Sequence, residues 1–247
     1  IKKRYKKIRS IIVSAPNGTV AKYFHKTAKK NQIKVINFEH GLTTGISMRN
    51  KNYMNYSEAT NCDYMMVINE LAKKDYELNK KNNIANLNIV GLPNQIKNVK
   101  NKKIINFYIR RKYAFKKNDF CICHVSTLLF NGGIRVGTDT LTDYNVNNFN
   151  YKILKKVYNN IYKKKIIFKD YPSLRHIYQP KLKDRISVEN KNIFFEESGD
   201  WRYIRAVSDL IVTMSFTSTF SWCVGTKVPI VYINIPDIRL RYAWLRE

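Results

Sequence analysis

Short apolar runs alternate with amphipathic stretches along this chain, and that alternation most limits its fold. In the first half, residues 10–14, 33–38, 63–69 and 87–91 have the length and composition of buried strands. A helical pattern over 70–80 follows the third of them. Strands and helices in regular alternation are typical of a parallel sheet with crossover helices. The sequence therefore predicts an α/β fold.

The first amphipathic stretch follows the turn at 16–18. Thr19 can cap a helix there, and Val20, Phe24 and Ala28 supply apolar positions four residues apart. This pattern predicts a crossover helix between the first two strands.

Residues 94 to 118 interrupt the alternation. The segment is basic and polar, with aromatic residues interleaved among its lysines and arginines. A connection between two domains would have this character, and so would a solvated face with a few anchoring aromatics. The same composition is also typical of surfaces that bind RNA or single-stranded DNA. The sequence alone leaves these interpretations open.

The alternation restarts after residue 118. An amphipathic helix is predicted over 149–161 and a short one near 201–207. The near-continuous apolar strands fit a parallel sheet covered on both faces. They are 119–126, 165–172, 191–198, 209–215 and 228–234. We therefore expect two domains, at residues 1–105 and 106–247.

Composition narrows the class of protein. The 247 residues are 44% hydrophobic, which is enough for a buried core. No apolar run approaches the roughly 20 residues that cross a bilayer, and the N-terminal apolar stretch is too short for a secretion signal. The chain begins without methionine and stops soon after a strong strand. We expect a piece of a longer protein, with both domains truncated.

The net charge of +27 ordinarily indicates nucleic acid or an anionic membrane surface as a partner. Lysine, asparagine, isoleucine and tyrosine are abundant together, however, which is typical of an AT-rich genome. The charges are also scattered along the chain. Because Asp and Glu number only 18, part of the excess still needs a use. Nucleotide phosphates or a cytoplasmic membrane leaflet would supply one.

The four cysteines do not have zinc-finger spacing. Cys121 and Cys123 lie in a predicted strand and are followed by His124, so a metal site is one interpretation. The alternative is that they serve as small buried apolar residues. A reduced, cytoplasmic setting fits free cysteines best.

A group of hydroxyl residues follows the predicted strand that ends at Met214. Ser215, Thr217, Ser218 and Thr219 begin a helix that ends at Gly225, a suitable residue for a left-handed C-terminal cap. Free main-chain N–H groups and hydroxyls at a helix start, beyond the carboxyl end of a parallel strand, are a typical phosphate site. Simple N-capping by these hydroxyls is the alternative.

Three stretches in this half carry a resemblance to a known family. They are IIFKDYP, SDLIVTMSFTST and TKVPIVYI. Their order and separations resemble the C-terminal domain of GT-B-fold transferases, particularly bacterial surface-polysaccharide glycosyltransferases and CDP-glycerol glycerophosphotransferases. The resemblance covers about residues 119 to 236. It implies two Rossmann-like domains facing a cleft, with the acceptor side at 1–105 and the nucleotide-donor side at 106–247.

In the second domain the resemblance implies that Ser218 and Thr219 face the donor phosphates and that Lys169 lies near the donor. One departure concerns the turn after that lysine. The family usually has histidine before the proline, whereas this chain has Tyr171. A tyrosine can donate a hydrogen bond to phosphate but is not cationic at neutral pH. The donor would then be held differently.

Two further stretches match parts of the family's donor site. The loop after the first strand of the second domain contains Gly132, Gly133 and Arg135. Glycine lets the main chain approach a diphosphate, and arginine can bind phosphate oxygens in a bidentate way. Glu196 and Glu197 end a strand near which many GT-B enzymes place an acidic contact to the donor ribose or sugar. An ordinary turn and a solvated strand end are the alternatives.

In the first domain, a histidine follows the strand 33–38 in the motif FEHGLTTG. Glycerophosphotransferase-like families have a His-Gly pair at this kind of position, which implies that His40 is the base for the acceptor hydroxyl. Imidazole can accept a proton at neutral pH. Glu39 could orient it, and Gly41 allows a sharp turn. Thr43 and Thr44 complete the acceptor side, and a locally hydrogen-bonded histidine is the alternative.

Together these features predict a transferase of surface or capsular polysaccharide biosynthesis. It would move a sugar or polyol phosphate from a nucleotide-sugar or CDP-polyol donor to a glycan or lipid-linked acceptor. No cofactor or metal is expected, because no convincing Asp-x-Asp cluster occurs. We expect a cytoplasmic protein in peripheral contact with the inner face of an anionic membrane. A nucleic-acid-binding protein that uses residues 94–118 and a nucleotide-sugar epimerase of the same fold are the alternatives.

Overall fold

The computed structural model describes residues 8–14, 16–39, 41, 44, 58–78, 85–93, 99–126, 143–158, 164–170, 182–187, 190–214 and 218–233. These residues belong to two compact units. The first contains the described residues up to Pro93 together with Ser218, and the second contains the other described residues that follow Asn94.

The first unit is built on a four-stranded sheet in the order β1-β2-β3-β4. Every neighbouring pair is parallel, as the alternation of strands and helices predicts. Its elements are β1 (Ser10–Ser14), α1 (Gly18–Lys30), β2 (Lys34–Phe38), β3 (Tyr64–Val67), α2 (Glu70–Leu78) and β4 (Asn86–Ile89).

One face of this sheet carries the core of the first unit. Val35, Met65 and Val67 are fully buried there, whereas Ile12 and Phe38 on the opposite face are 69% and 43% exposed. The difference follows from the two-residue period of a strand, which sends successive side chains to opposite faces.

The helix α1 packs on this core through its C-terminal part. Ala28 is buried, but Val20 is 83% exposed and Phe24 is 40% exposed. The helix is confirmed, with Asn17 rather than Thr19 at its N-cap position. Only the C-terminal part of its predicted apolar stripe is therefore buried.

The second unit is built on a five-stranded parallel sheet in the order β7-β6-β5-β8-β9. Its first elements are α3 (Lys102–Lys112), β5 (Cys121–Val125), α4 (Asp143–Lys152), which continues as a π-helical segment (Ile153–Val157), β6 (Lys165–Lys169) and α5 (Leu182–Ser187). They are followed by β7 (Ile193–Glu196), α6 (Trp201–Ile204) with a 3-10 turn (Arg205–Val207), β8 (Leu210–Thr213), α7 (Ser218–Val224) and β9 (Ile230–Tyr232).

The strand order of the second unit fixes where a ligand can bind. Counted from β5, the order is third, second, first, fourth, fifth, as in Rossmann-type sheets. The chain switches sides of the sheet between β5 and β8, and open α/β sheets bind ligands beyond the carboxyl ends of the strands at that point. Val125 of β5 pairs with Thr213 of β8. The segments that follow these two strands therefore start side by side.

The central strand β5 is buried along its whole length. Cys121 and Cys123 lie in the apolar core of the unit, as expected if they serve as small buried apolar residues. His124 lies on the opposite face, where its Nδ1 atom is 2.9 Å from the hydroxyl of Tyr158. Burial lowers the pKa of His124 to about 3, so the ring is neutral. Within the described ranges, no three Cys, His, Asp or Glu side chains are grouped as metal ligands would be.

Part of the basic segment 94–118 is the folded helix α3, which belongs to the second unit. Asn106 donates to the carbonyl of Ala206 at 3.0 Å, and Arg110 donates to the carbonyls of Lys116 and Asp119 at 2.8 and 3.1 Å. The units divide after Pro93, and the predicted boundary between 105 and 106 falls inside this helix. Of the helices described, none is long and apolar enough to span a bilayer.

Candidate functional site

Several predicted site residues lie outside the described residues. On the acceptor side these are His40 and Thr43. On the donor side they are Gly132, Gly133, Arg135, Tyr171, Ser215 and Thr217. Their roles stay predictions. The described residues next to them show where the strands that lead to these positions end.

The strand β8 ends at the predicted phosphate-binding turn. After Met214, the helix α7 begins at Ser218 and runs to Val224, as the hydroxyl-rich sequence predicts. Gly225 follows and donates its N–H to the carbonyl of Ser221 at 3.0 Å. Thr219 is half-buried in the first turn. The helix start thus lies beyond the carboxyl end of β8, next to the switch point.

Lys169 ends β6 and is 6% exposed. Its ammonium donates to three main-chain carbonyls, those of Asp170 at 2.5 Å, Glu196 at 3.2 Å and Glu197 at 3.0 Å. An ammonium has three N–H donors, so all of them are used. Burial lowers the pKa of Lys169, although Glu196 and Asp170 act in the other direction. Lys169 therefore ties the ends of β6 and β7 together.

Glu196 ends β7 and is 4% exposed. Oε2 accepts hydrogen bonds from Lys112 and from the Tyr113 hydroxyl. Oε1 accepts from the N–H and hydroxyl of Ser198 at 3.1 and 3.2 Å and from the N–H of Gly199 at 2.7 Å. Burial alone would raise the pKa of Glu196, but these hydrogen bonds hold it at about 2. The carboxylate is a fixed anion that joins β7 to α3.

Glu197 differs from its neighbour in exposure. Its side chain is 34% exposed, and Oε1 lies 3.4 Å from the ammonium of Lys183, which is itself 57% exposed. Such a pair is weak and readily exchanged. Of the two predicted acidic contacts, Glu197 is the one whose carboxylate is accessible to a ligand.

Glu39 follows β2 in the first unit. Its N–H donates to the carbonyl of Met66 at 2.9 Å, and its Oε2 accepts from the N–H of Ile68 at 2.8 Å. Gly41 then takes a φ of +90°, a conformation that favours glycine, which agrees with the predicted sharp turn. The acidic side chain is thus held across the carboxyl ends of β2 and β3.

The carboxyl group of Glu39 titrates near neutral pH. Burial raises its pKa to about 7, against the opposing hydrogen bonds of Ile68 and Thr44. The carboxylate of Glu58 raises it further. A group with this pKa can hold or release a proton under physiological conditions.

The first unit contains further buried polar atoms. Glu39 Oε1, the hydroxyl of Tyr76 and Asn37 Oδ1 are buried, with no hydrogen bond of good geometry among the described residues. Tyr76 and Asn37 are 3% and 0% exposed. Sequence reasoning missed both residues. Asn37 could have been noticed as an amide inside an apolar strand, but nothing in the pattern of α2 distinguishes Tyr76.

No protein-family model and no curated protein matches the sequence. Solved structures do resemble the fold. The UDP-GlcNAc 2-epimerase from Methanocaldococcus jannaschii has a TM-score of 0.57 at 19% identity, covering 94% of this chain and 63% of that chain. The wall teichoic acid polymerase TagF, in a variant soaked with CDPG, has a TM-score of 0.54 at 13% identity, covering 93% of this chain and 54% of that chain.

At these identities the likeness is one of fold. The neighbours are GT-B proteins, so the predicted fold class, an α/β chain with two Rossmann-like parallel-sheet units of the GT-B type, is confirmed. This chain spans about 63% and 54% of the length of those two proteins.

Proposed function

We propose that this chain is part of a GT-B transferase that moves a sugar or polyol phosphate from a nucleotide-activated donor to a glycan or lipid-linked acceptor. We assign it to the synthesis of surface or capsular polysaccharide. The observation that carries the proposal is the Rossmann strand order of the second unit, which starts the predicted donor loop and the hydroxyl-rich turn at adjacent strand ends. The GT-B neighbours support the same class of chemistry.

On the donor side, the diphosphate lies beyond β5 and β8. Gly132, Gly133 and Arg135 follow β5, and the segment from Ser215 to Thr219 follows β8. Main-chain N–H groups, hydroxyls and one guanidinium are preorganised donors for the charge that develops on a leaving phosphate. Tyr171 adds a further hydroxyl. Lys169, whose three protons are bound to carbonyls, holds the strand ends rather than the phosphate.

On the acceptor side, His40 is the base and Glu39 is its acidic neighbour. A histidine can take the proton of the acceptor hydroxyl as the new bond forms. Glu39, whose burial raises its pKa to about 7, adds a second group that exchanges protons near neutral pH. Gly41 and Thr44 shape the turn around them. The proposal needs no cofactor and no metal ion.

The partner of the exposed face of α3 is an anionic membrane surface. Ile104, Phe107 and Tyr108 are 56%, 61% and 64% exposed. Phe107 and Tyr108 each lie about one turn after Ile104, so the three form a single patch. Exposed Lys103 and Arg111 flank it, and α3 contains no acidic residue. Apolar side chains that enter the lipid interface beside cations that pair with anionic headgroups are typical of peripheral helices.

A nucleotide-sugar epimerase is the second candidate function. The observation that favours it is the titratable Glu39 beside the buried hydroxyl of Tyr76, since an epimerase needs additional acid and base groups. The two functions differ in their need for an acceptor. An epimerase breaks and remakes a carbon–hydrogen bond, so it would introduce solvent deuterium into the sugar of the donor alone.

The experiment is a transfer assay with the full-length protein, labelled CDP-glycerol or UDP-GlcNAc, and glycan acceptors. Loss of a general base typically costs 10²- to 10⁴-fold, so we expect His40→Ala to reduce turnover by about that factor. His25→Ala, in α1, is the matched control and should retain activity. Equal turnover in the two variants would remove His40 from the mechanism, and deuterium uptake without acceptor would establish the epimerase instead.

A further inference from the structure

Two side-chain hydrogen bonds join the helix α4 and its π-helical continuation to the central strand of the second unit. Asn150, on α4, donates from Nδ2 to Oγ of Ser126 at 3.2 Å. The hydroxyl of Tyr158, which follows the π-helical segment, lies 2.9 Å from Nδ1 of His124. Asn150, Tyr158 and His124 are 1%, 4% and 0% exposed. Polar groups therefore connect helix and strand at two points in the interior of this unit.

The two hydrogen bonds lie at different depths on one face of β5. Side chains two residues apart in a strand share a face, so His124 and Ser126 both point toward the helix. Asn150 precedes Tyr158 along the helix but contacts the later residue of the strand. This order is expected of a crossover helix that runs back along its parallel sheet. Asn150 therefore acts at the carboxyl end of β5, and Tyr158 acts deeper in the unit.

Ser126 connects this layer to the ends of the neighbouring strands. Its N–H donates to the carbonyl of Lys169 at 3.0 Å, at the end of β6. The ammonium of Lys169 in turn donates to the carbonyls of Glu196 and Glu197 at the end of β7, at 3.2 and 3.0 Å. These contacts link α4 to the carboxyl ends of β5, β6 and β7. Open α/β sheets bind their ligands at this edge.

A buried asparagine is an unusual choice for the inner face of a crossover helix. Burial of an amide is unfavourable unless it is hydrogen-bonded, and an apolar side chain would pack there without that cost. The net stabilisation from a neutral hydrogen bond is modest, but the bond fixes the position of both partners. Ser126 is only half-buried, so its place at the strand end is set by such bonds more than by packing. The contact from Asn150 therefore specifies geometry at the ligand-binding edge.

We propose that Asn150 is a positioning residue for the nucleotide donor. Through Ser126 it holds the carboxyl end of β5 in the position from which the second unit binds the donor diphosphate. Tyr158, on the same face of β5 but farther from the strand end, contributes to packing and not to donor binding. The part of Asn150 in donor binding rests on the proposed function, whereas its hold on the strand end does not.

The test is calorimetric titration of the full-length protein with UDP and CDP. We expect Asn150→Ala and Ser126→Ala each to raise the nucleotide Kd about tenfold, because small displacements of a binding edge are costly. Tyr158→Phe is the matched control, since it removes the other hydrogen bond of the same layer. It should lower the thermal midpoint as Asn150→Ala does but leave the Kd unchanged. Ser126→Thr keeps the acceptor hydroxyl and should bind as the unaltered protein does.

A second readout does not depend on nucleotide binding. The N–H of Ser126 is bonded to the carbonyl of Lys169, so its hydrogen exchange reports how firmly the strand end is held. We expect this exchange to be at least about tenfold faster in Asn150→Ala and unchanged in Tyr158→Phe. If the unaltered protein binds neither nucleotide, the proposed function and the donor role of Asn150 fail together. The exchange rate still decides whether Asn150 holds the end of β5, so the two failures are distinguishable.

The proposal is overturned if Asn150→Ala binds UDP and CDP as tightly as the unaltered protein. An equal rise of the Kd in Tyr158→Phe would also overturn it, because the effect would then be a general loosening of the layer. If Asn150→Ala does not fold, the half-buried Ser126→Ala decides alone, and an unchanged Kd in that variant contradicts the proposal. A higher Kd that Ser126→Thr restores supports it.

Discussion

Two glutamates at strand ends have opposite environments. The carboxylate of Glu196 accepts five hydrogen bonds, from Lys112, Tyr113, Ser198 and Gly199. Glu39 leaves one buried oxygen without a described partner. The first is therefore a permanent anion that fastens secondary structure, and the second is a group that can change its protonation. Both glutamates lie at strand ends, so position alone does not distinguish them. Their hydrogen bonds do, and they indicate a structural role for Glu196 and a chemical role for Glu39.

We expect Glu196→Gln to destabilise the protein by about 1–3 kcal/mol, because a buried amide cannot accept all the hydrogen bonds that the buried carboxylate accepts. Glu197→Gln is the control, and it should change stability by less than about 0.5 kcal/mol since its ion pair is largely exposed. Urea unfolding at neutral pH measures both. Equal effects of the two substitutions would contradict the structural role of Glu196.

The contribution of Glu196 also has a definite pH dependence. Its folded pKa of about 2 lies below the ordinary value of 4.5, so the stabilisation is present above pH of about 4.5 and is lost as the pH falls toward 2. Glu39, whose pKa is raised on folding, contributes a pH dependence of the opposite direction.

The folded pKa of Glu39, about 7, lies above its ordinary value of 4.5, so the native state binds the proton more tightly than the unfolded chain does. The free energy of unfolding should therefore fall by up to about 3 kcal/mol between pH 4.5 and 7. Above pH 7 it should stay level. Glu39→Gln should remove that slope and raise stability at pH 8. Glu77→Gln, exposed on α2, is the control. An unchanged slope in Glu39→Gln would contradict the assigned protonation.

At the scale of elements, α3 has two distinct faces. One face is tied to the second unit through Asn106 and Arg110, and the other exposes Ile104, Phe107 and Tyr108. Exposed Lys103 and Arg111 flank this patch, and α3 contains no acidic residue, so we propose that the patch is the part of the basic segment that contacts a partner.

We expect the double substitution Phe107→Ser and Tyr108→Ser to reduce binding to vesicles of phosphatidylglycerol and phosphatidylcholine at least about tenfold, because each ring loses apolar burial in the interface. The fold should be unaffected. The matched control is Val20→Ser and Tyr23→Ser, which removes two apolar residues from α1 that are even more exposed. Equal losses in the two double variants would contradict a specific surface. Loss of single-stranded RNA binding alone would favour the nucleic-acid alternative.

The elements that the sequence predicts well are those with a strong period or a continuous apolar run. The predicted strands around Ile36, Cys123 and Ile211 are confirmed. When every residue or every second residue of a strand is buried, its apolar residues form a pattern that predicts the strand. The partial burial of α1 could not be predicted, since Val20 and Phe24 satisfy the helical period whether or not a core covers them. The bonds of Lys169 to the carbonyls of Glu196 and Glu197 span 27 and 28 residues, which no local pattern contains.

At the scale of the whole molecule, the net charge of +27 and the two parallel-sheet units are consistent with binding of anionic ligands. The second unit has a Rossmann switch point, and the described strands of the first unit follow one another in simple order. We therefore propose that the donor site lies beyond the strand ends of the second unit.

The central claim is that the second unit binds a nucleotide diphosphate beyond β5 and β8. Isothermal titration calorimetry of the full-length protein with UDP and CDP tests it most directly. We expect binding of at least one of them, with a Kd that rises about tenfold or more in Arg135→Ala, since a bidentate phosphate contact is lost. Arg202→Ala, an exposed arginine paired with Asp200, is the control and should bind as the unaltered protein does. Absence of binding to either nucleotide, or an equal Kd in the two arginine variants, would contradict the account.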